Sequence, residues 1–177
     1  MRKINLQKIL LVLIAVLAFG LRFYKLGEVP LGFHQDEISQ SYNSFSMLKT
    51  GEDRYGQFMP ILFRSFGSYQ PPIYTYLTPI PLYLFGNTIF AARSTSAFFG
   101  VLTVLISYFI VKELVKNRYK ESLALLTSFV VAISPWAIHF SRRVVEGNLG
   151  LFFFLLSFYF FIRSLSQIKF IIPFFSS

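Results

Sequence analysis

Four apolar runs fix what this chain can fold into. They fall at residues 9–24, 88–111, 122–141 and 148–162. The second, TIFAARSTSAFFGVLTVLISYFIV, is long enough to cross about 30 Å of hydrocarbon as a helix. The third, SLALLTSFVVAISPWAIHFS, is also of spanning length, while the fourth, NLGLFFFLLSFYFFI, is short and aromatic. Only 14% of the residues are charged, against 54% hydrophobic and 19% aromatic, so too little charge remains to cover a soluble surface. The pattern predicts an all-α membrane protein: a polytopic helical bundle with about four transmembrane helices. A final FIIPFF, Phe170 to Phe175, is interrupted by Pro173 and reads as the start of a further element.

The first run, ILLVLIAVLAFGLRFY, follows Arg2, Lys3 and Lys8. A basic head before an apolar core is also the pattern of a signal peptide. Val16-Leu17-Ala18 is a weak cleavage site and apolar residues continue beyond it, so the run reads as an uncleaved anchor. A further apolar stretch, Pro71 to Gly86, is not counted as a span. Pro79 and Pro81 would each remove a backbone donor in mid-helix, a costly loss in lipid, and its tyrosines prefer the interface. It is expected as a juxtamembrane element.

Charge placement orients the bundle. The net charge of +9 gathers at the ends of the apolar runs, which is a topology signal rather than a nucleic-acid footprint. With Arg2, Lys3 and Lys8 cytoplasmic, the loop 25–87 lies outside and holds four basic against five acidic residues. The loop 112–121 then lies inside with Lys112, Lys116, Arg118 and Lys120, and Arg163 and Lys169 follow the fourth span on the same side. A fifth span at 71–86 would put the 112–121 cluster outside, against the rule.

The loop after the first span opens with LGFHQDEISQS, where Asp36 and Glu37 stand side by side. Acids suit the start of the helix that DEISQSYNSFSMLKTG predicts. Arg64, Arg93, Arg142 and Arg143 are expected at the same membrane face. Any one of them can be explained by snorkelling or by contact with lipid phosphate. Together with two carboxylates they suit a lipid-linked phosphate substrate, because arginine forks phosphate and a carboxylate accepts a proton from an incoming hydroxyl. A metal set of His34, Asp36 or Glu37, and His139 is the rival, but two histidines and no H-E-x-x-H pattern make no dedicated site; a loosely held divalent cation near the phosphate is the more reasonable form. The tyrosines of the outer loop read as an interfacial belt before they read as sugar platforms. Cysteine is absent, which excludes disulfides and thiolate metal sites.

PLGFHQDE, TGEDRYGQFMP, YQPPIYTYL, LFGNTIFAARSTSAFFGVLTV and ISPWAIHFSRR follow one another between residues 30 and 146. In this order they resemble the N-terminal part of the GT-C superfamily of glycosyltransferases, especially the family 39 and protein-mannosyltransferase-like group. The resemblance implies a polyprenyl-phosphate sugar donor, an acceptor protein, lipid or glycan, surrounding membrane lipids as partners, and no required cofactor. It implies an inverting displacement with Asp36 as general base and Glu37 as the organising second acid. Arg93 matches the family's arginine after the paired small residues. Arg93, Arg142, Arg143 and Arg64 are the candidates to hold the donor phosphate, Arg142 and Arg143 by a looser match and Arg64 as a substitute for a missing lysine. Many relatives carry a lysine before the paired prolines, where this chain has Gln70. Relatives run to several hundred residues, so the chain is expected to be a front piece, inactive by itself, of a multi-pass plasma-membrane protein with a cytoplasmic N-terminus.

A non-catalytic lipid-binding protein or a transporter or flippase subunit is the alternative. Such a protein wants ionisable groups near the bilayer midplane; here Arg93 alone reads as lying inside a span, close to its end. The topology is testable because the chain has no native cysteine. Single cysteines at Ser46 and Gly147 should react with an impermeant maleimide on intact cells, and one at Asn117 should react only after permeabilisation. Labelling of Asn117 in intact cells would overturn the orientation.

Overall fold

The structure, a computed structural model, describes residues 6–171. Arg2, Lys3 and residues 172–175 of the terminal apolar run lie outside the described residues. The order is α1 (Leu6–Phe23), α2 (Gln35–Thr50), β1 (Phe63–Ser65), β2 (Ser68–Gln70), α3 (Pro72–Leu77), α4 (Pro79–Phe85), α5 (Ile89–Leu114), α6 (Lys120–Ile133), α7 (Pro135–Ser141) and α8 (Glu146–Ile171). Three helices, α1, α5 and α8, are long and apolar enough to cross a membrane, and α6 with α7 makes a fourth if the bent pair is one span. The expected membrane bundle is what forms.

α5 is the central helix and packs against α1, α4, α6, α7 and α8. Its buried face is rich in small residues, among them Ala91, Ala92, Ser96, Ala97 and Gly100. Helices in lipid associate by close packing rather than by hydrophobic exclusion, so small side chains mark the contact face. Thr88 starts α5 by accepting the Ala91 N–H at 3.1 Å. At the other end, Lys112 pairs with Glu121 at 2.8 Å, and the Tyr108 hydroxyl donates to Glu121 at 2.7 Å, which closes the turn into α6.

Three features depart from the sequence reading. The run 122–141 was expected as one helix but bends by 58° between α6 and α7. Ser134 and Pro135 cause this: Pro135 is the first residue of α7, where its missing N–H costs nothing, and Ser134 Oγ accepts from Ala137 N at 3.5 Å. The fourth helix begins at Glu146 and runs well past 162, through Arg163. The outer loop also holds a small antiparallel hairpin, β1 with β2, turned at Phe66 and Gly67, both with positive φ. Pro71 to Gly86 divides into α3 and α4, six and seven residues long, each opening on proline and neither of spanning length.

The bend in α6–α7 strips backbone carbonyls of their partners inside the apolar bundle. Arg22, on the last turn of α1 and 1% exposed, donates to Ala132 O at 3.0 Å and Val131 O at 3.3 Å. Gly100 makes room for this arrangement. A Cβ there would lie 2.5 Å from Ser141 Cβ and 2.9 Å from Arg22 Nε. Gly20, by contrast, has nothing within 4 Å of an added Cβ. Gly100→Val should therefore cost about 1–3 kcal/mol by overpacking and lower the melting temperature in detergent. Gly20→Ala should leave it unchanged or raise it. Equal melting temperatures for Gly100→Val and the parent would show that α5 and α7 are not in close contact.

Candidate active site

α2 starts where the sequence reading placed it. Glu37, at the third helical position, turns back and accepts the His34 N–H at 3.0 Å, so one carboxylate oxygen closes the first turn. The helix ends at Gly51, whose left-handed backbone (φ 74°) sends its N–H to Met47 O at 3.1 Å. Between these ends, the buried face of α2 is polar. Asn43 Oδ1 accepts the Arg54 N–H at 3.2 Å, and Ser39 Oγ donates to Gln70 Oε1 at 3.4 Å. Gln70 also donates to the Asp36 carbonyl at 3.3 Å, so the hairpin is fastened to the first turn of α2 through this one side chain.

Glu37 is buried and joins three parts of the chain. Its carboxylate meets Arg93 of α5, with Nε to Oε1 at 3.1 Å and Nη2 to Oε2 at 3.4 Å. Oε1 also accepts the Val144 N–H at 2.9 Å. The segment between α7 and α8 is thereby held against the start of α2. Arg93 is 0% exposed. Its remaining donors go to backbone: Nη1 to Pro30 O at 2.8 Å and Leu26 O at 3.3 Å, and Nη2 to Gly32 O at 2.6 Å. All five N–H groups of this guanidinium are used. The ring of Phe33 lies 5.3 Å from its centre.

Arg142 does a parallel job. It donates to Leu21 O at 2.8 Å, Arg22 O at 3.3 Å, Lys25 O at 3.4 Å and Val29 O at 2.9 Å, covering the carbonyls freed where α1 ends. Burial, and secondarily the Arg93 charge, pull its pKa below the ordinary value. Tyr74 of α3 is buried too, and its hydroxyl donates to Ala92 O at 2.9 Å, docking the juxtamembrane element on α5. Burial pushes that phenol far up.

Three of the anticipated residues remain available. The Asp36 side chain is 64% exposed, with only His34 Nδ1 near it at 3.7 Å. Arg143 is half-buried, and its buried Nε has no partner among the described residues. Its neighbour Val144 is bonded to Glu37, so the two open groups flank the same buried carboxylate. Arg64 is exposed on β1, opposite Tyr69 and 5.4 Å from the ring centre of Tyr55. The fold thus gathers Asp36, Glu37, Arg93, Arg142 and Arg143 at one end of the bundle, with Arg64 on the adjoining hairpin. His139 is not joined to the acids: among the described residues no three His, Asp or Glu groups come together as a metal set.

Two residues have structural roles that the sequence pattern does not show. Arg22 lies inside the first span, so Arg93 is not the only ionisable group in a span; a lone arginine at the end of an apolar run gave no signal beyond snorkelling. Gln70 was read only as a missing charge, whereas it ties β2 to α2. The buried pair can be tested by stability. Glu37→Gln leaves the Arg93 charge without a carboxylate and should cost about 3–5 kcal/mol. Arg93→Lys should also destabilise, because an ammonium cannot reproduce the forked contacts. Thermal unfolding in detergent, with protease sensitivity of the 25–33 segment, reads both; parent-like behaviour of Glu37→Gln would mean that the pair does not organise this end.

The family of dolichyl-phosphate-mannose-protein mannosyltransferases matches residues 12–172, from α1 through α8. No curated protein and no solved structure gives a significant match. The matched stretch contains the motifs that resemble the GT-C group, the apolar helices and the buried pair of Glu37 and Arg93. The chain is an integral, multi-pass membrane protein with a mannosyltransferase-like role, and it belongs to the dolichyl-phosphate-mannose-protein mannosyltransferase family.

Proposed function

We propose that the protein takes part in transferring a sugar from a polyprenyl-phosphate donor to a hydroxyl acceptor at the outer face of the plasma membrane. A protein acceptor fits the family best. One observation carries the assignment of roles: of two adjacent acids on one helix turn, Glu37 is buried in four hydrogen bonds while Asp36 is free and exposed. A carboxylate committed to a cation and two amides is a poor proton acceptor. An open one, held at fixed height by the first turn of α2, is suited to it.

In the step proposed, Asp36 removes the proton of the acceptor hydroxyl as its oxygen attacks the anomeric carbon. The bond between that carbon and the phosphate oxygen breaks, and the electron pair leaves with the polyprenyl phosphate. Attack opposite the leaving group inverts the anomeric centre. Of Arg142 and Arg143, the latter is the one with an uncommitted donor, its buried Nε, and is our candidate for the phosphate; Arg64 is exposed and nearby in the fold. Arg93 and Arg142 serve by positioning rather than by holding phosphate, since their donors go to backbone carbonyls and, for Arg93, to Glu37. The step uses no cofactor. Lys112, Lys116, Arg118 and Lys120 stand at the α5–α6 turn, away from α2, which supports a cytoplasmic placement for that turn and an outer one for Asp36.

Asp36→Asn keeps the shape and removes the base. In the full-length protein it should lower kcat by roughly two to four orders of magnitude, the range for losing a general base, with little change in donor KM. Arg143→Ala should raise the donor KM by roughly tenfold or more, as for loss of a charge-assisted hydrogen bond. Transfer at the parent rate by Asp36→Asn would reduce the acid pair to a helix start.

A further inference from the structure

The loop between α2 and β1 carries a second apolar surface that the transfer step does not use. It reads FMPIL, Phe58 to Leu62. Ile61 is 83% exposed and Phe58 71%, and Met59 and Leu62 are each more than half exposed. The loop is not slack. Met59 N donates to Gly51 O at 3.1 Å, Phe58 bridges to Glu52, and the Tyr76 hydroxyl of α3 donates to Pro60 O at 2.8 Å. A tethered turn that presents four large apolar side chains outward would be a liability in water.

Its surroundings show what it faces. Ile61, Ile73 and Leu77 line one continuous groove between the loop and α3. Leu77 also lines a second groove, which runs past Ile80 and Leu84 of α4 to Phe98 of α5. Phe98 belongs to a helix apolar and long enough to span, and is itself half exposed. The loop therefore joins a largely apolar surface that reaches, past Ser94 and Thr95, the apolar side of a spanning helix. Beside it stand cations and aromatic rings in the pairing typical of the headgroup layer. Arg54 lies 5.0 Å from the ring centres of Tyr55 and Phe66, and exposed Arg64 shares Tyr55.

We propose that the Phe58–Leu62 loop is a membrane anchor that inserts into the headgroup–acyl boundary on the side of the bundle that carries α2, with Arg54 and Arg64 set against anionic lipid phosphates. The anchor gives the outer loop a hold on the bilayer separate from the spans. Through β1, β2 and Gln70 it is linked to the first turn of α2 and so to the height of Asp36 above the lipid. Apolar burial supplies the insertion, and the arginines add attraction to an anionic surface.

The test needs no activity measurement, so it stands or falls independently of the transfer reaction. A single cysteine placed at Ile61 of the otherwise cysteine-free chain is labelled with an environment-sensitive dye. The protein is reconstituted into phosphatidylcholine vesicles and into phosphatidylcholine–phosphatidylglycerol vesicles, with bromine placed shallow or deep on the acyl chains. The expected result is a blue-shifted emission, quenched more by shallow than by deep bromine, with stronger quenching in the anionic vesicles. Arg64→Gln should remove part of that difference between lipids. Emission typical of water overturns the proposal. So does a blue shift that no bromolipid quenches, because the loop is then covered by protein. Equal quenching in both lipids overturns the role of the arginines.

Discussion

Bare backbone carbonyls in an apolar bundle are the constraint on which the arrangement depends. A helix that stops in or near lipid leaves its last carbonyls without partners, and each costs free energy there unless a donor is supplied. Three buried arginines supply them. Arg22 covers the end of α6, Arg142 covers the end of α1 and the segment after it, and Arg93 covers carbonyls between Leu26 and Gly32. Arginine suits the task because its fork reaches several acceptors at once and its charge is weakly hydrated. Only Arg93 also has a carboxylate, Glu37, and that pair is where α2, α5 and the α7–α8 connection meet.

This scaffold separates a buried carboxylate from an exposed one within two residues. Successive side chains on a helix point about 100° apart. Once Glu37 is turned inward to Arg93, Asp36 is turned to the surface. The same logic divides the arginine pair after α7: Arg142 is drawn into the carbonyls at the end of α1, and Arg143 is left with a free donor. Adjacent residues of one chemical type thus meet different surroundings and partners because of how the fold places them.

Much of the architecture was legible in the sequence. Apolar runs of spanning length and charges at their ends give the bundle, and prolines mark the 71–86 stretch as an element that does not span; its division into two short helices was not read. Acids at 36 and 37 mark the start of α2. The bend after α6 was also written there, since Ser134-Pro135 is a helix-start signal, but a run of uniform hydropathy hid it. The hairpin at 63–70 escaped notice because three-residue strands carry almost no periodicity. Arg22 escaped for a similar reason: one cation at the edge of an apolar run has many harmless explanations.

The sequence by itself determined which segments enter lipid and which end of the bundle gathers the charged groups. Those follow from transfer free energies that each residue carries with it, whatever its neighbours. Only the tertiary structure decided what each charge does there. Arg93, Arg142 and Arg143 are the same residue type near the same membrane face. They differ in which carbonyls and carboxylates stand within 3.5 Å, and that is set by where α1 ends, how α6 bends and how α2 lies across α5. Bare acceptors are a property of the folded backbone, so no reading of side chains alone can locate them.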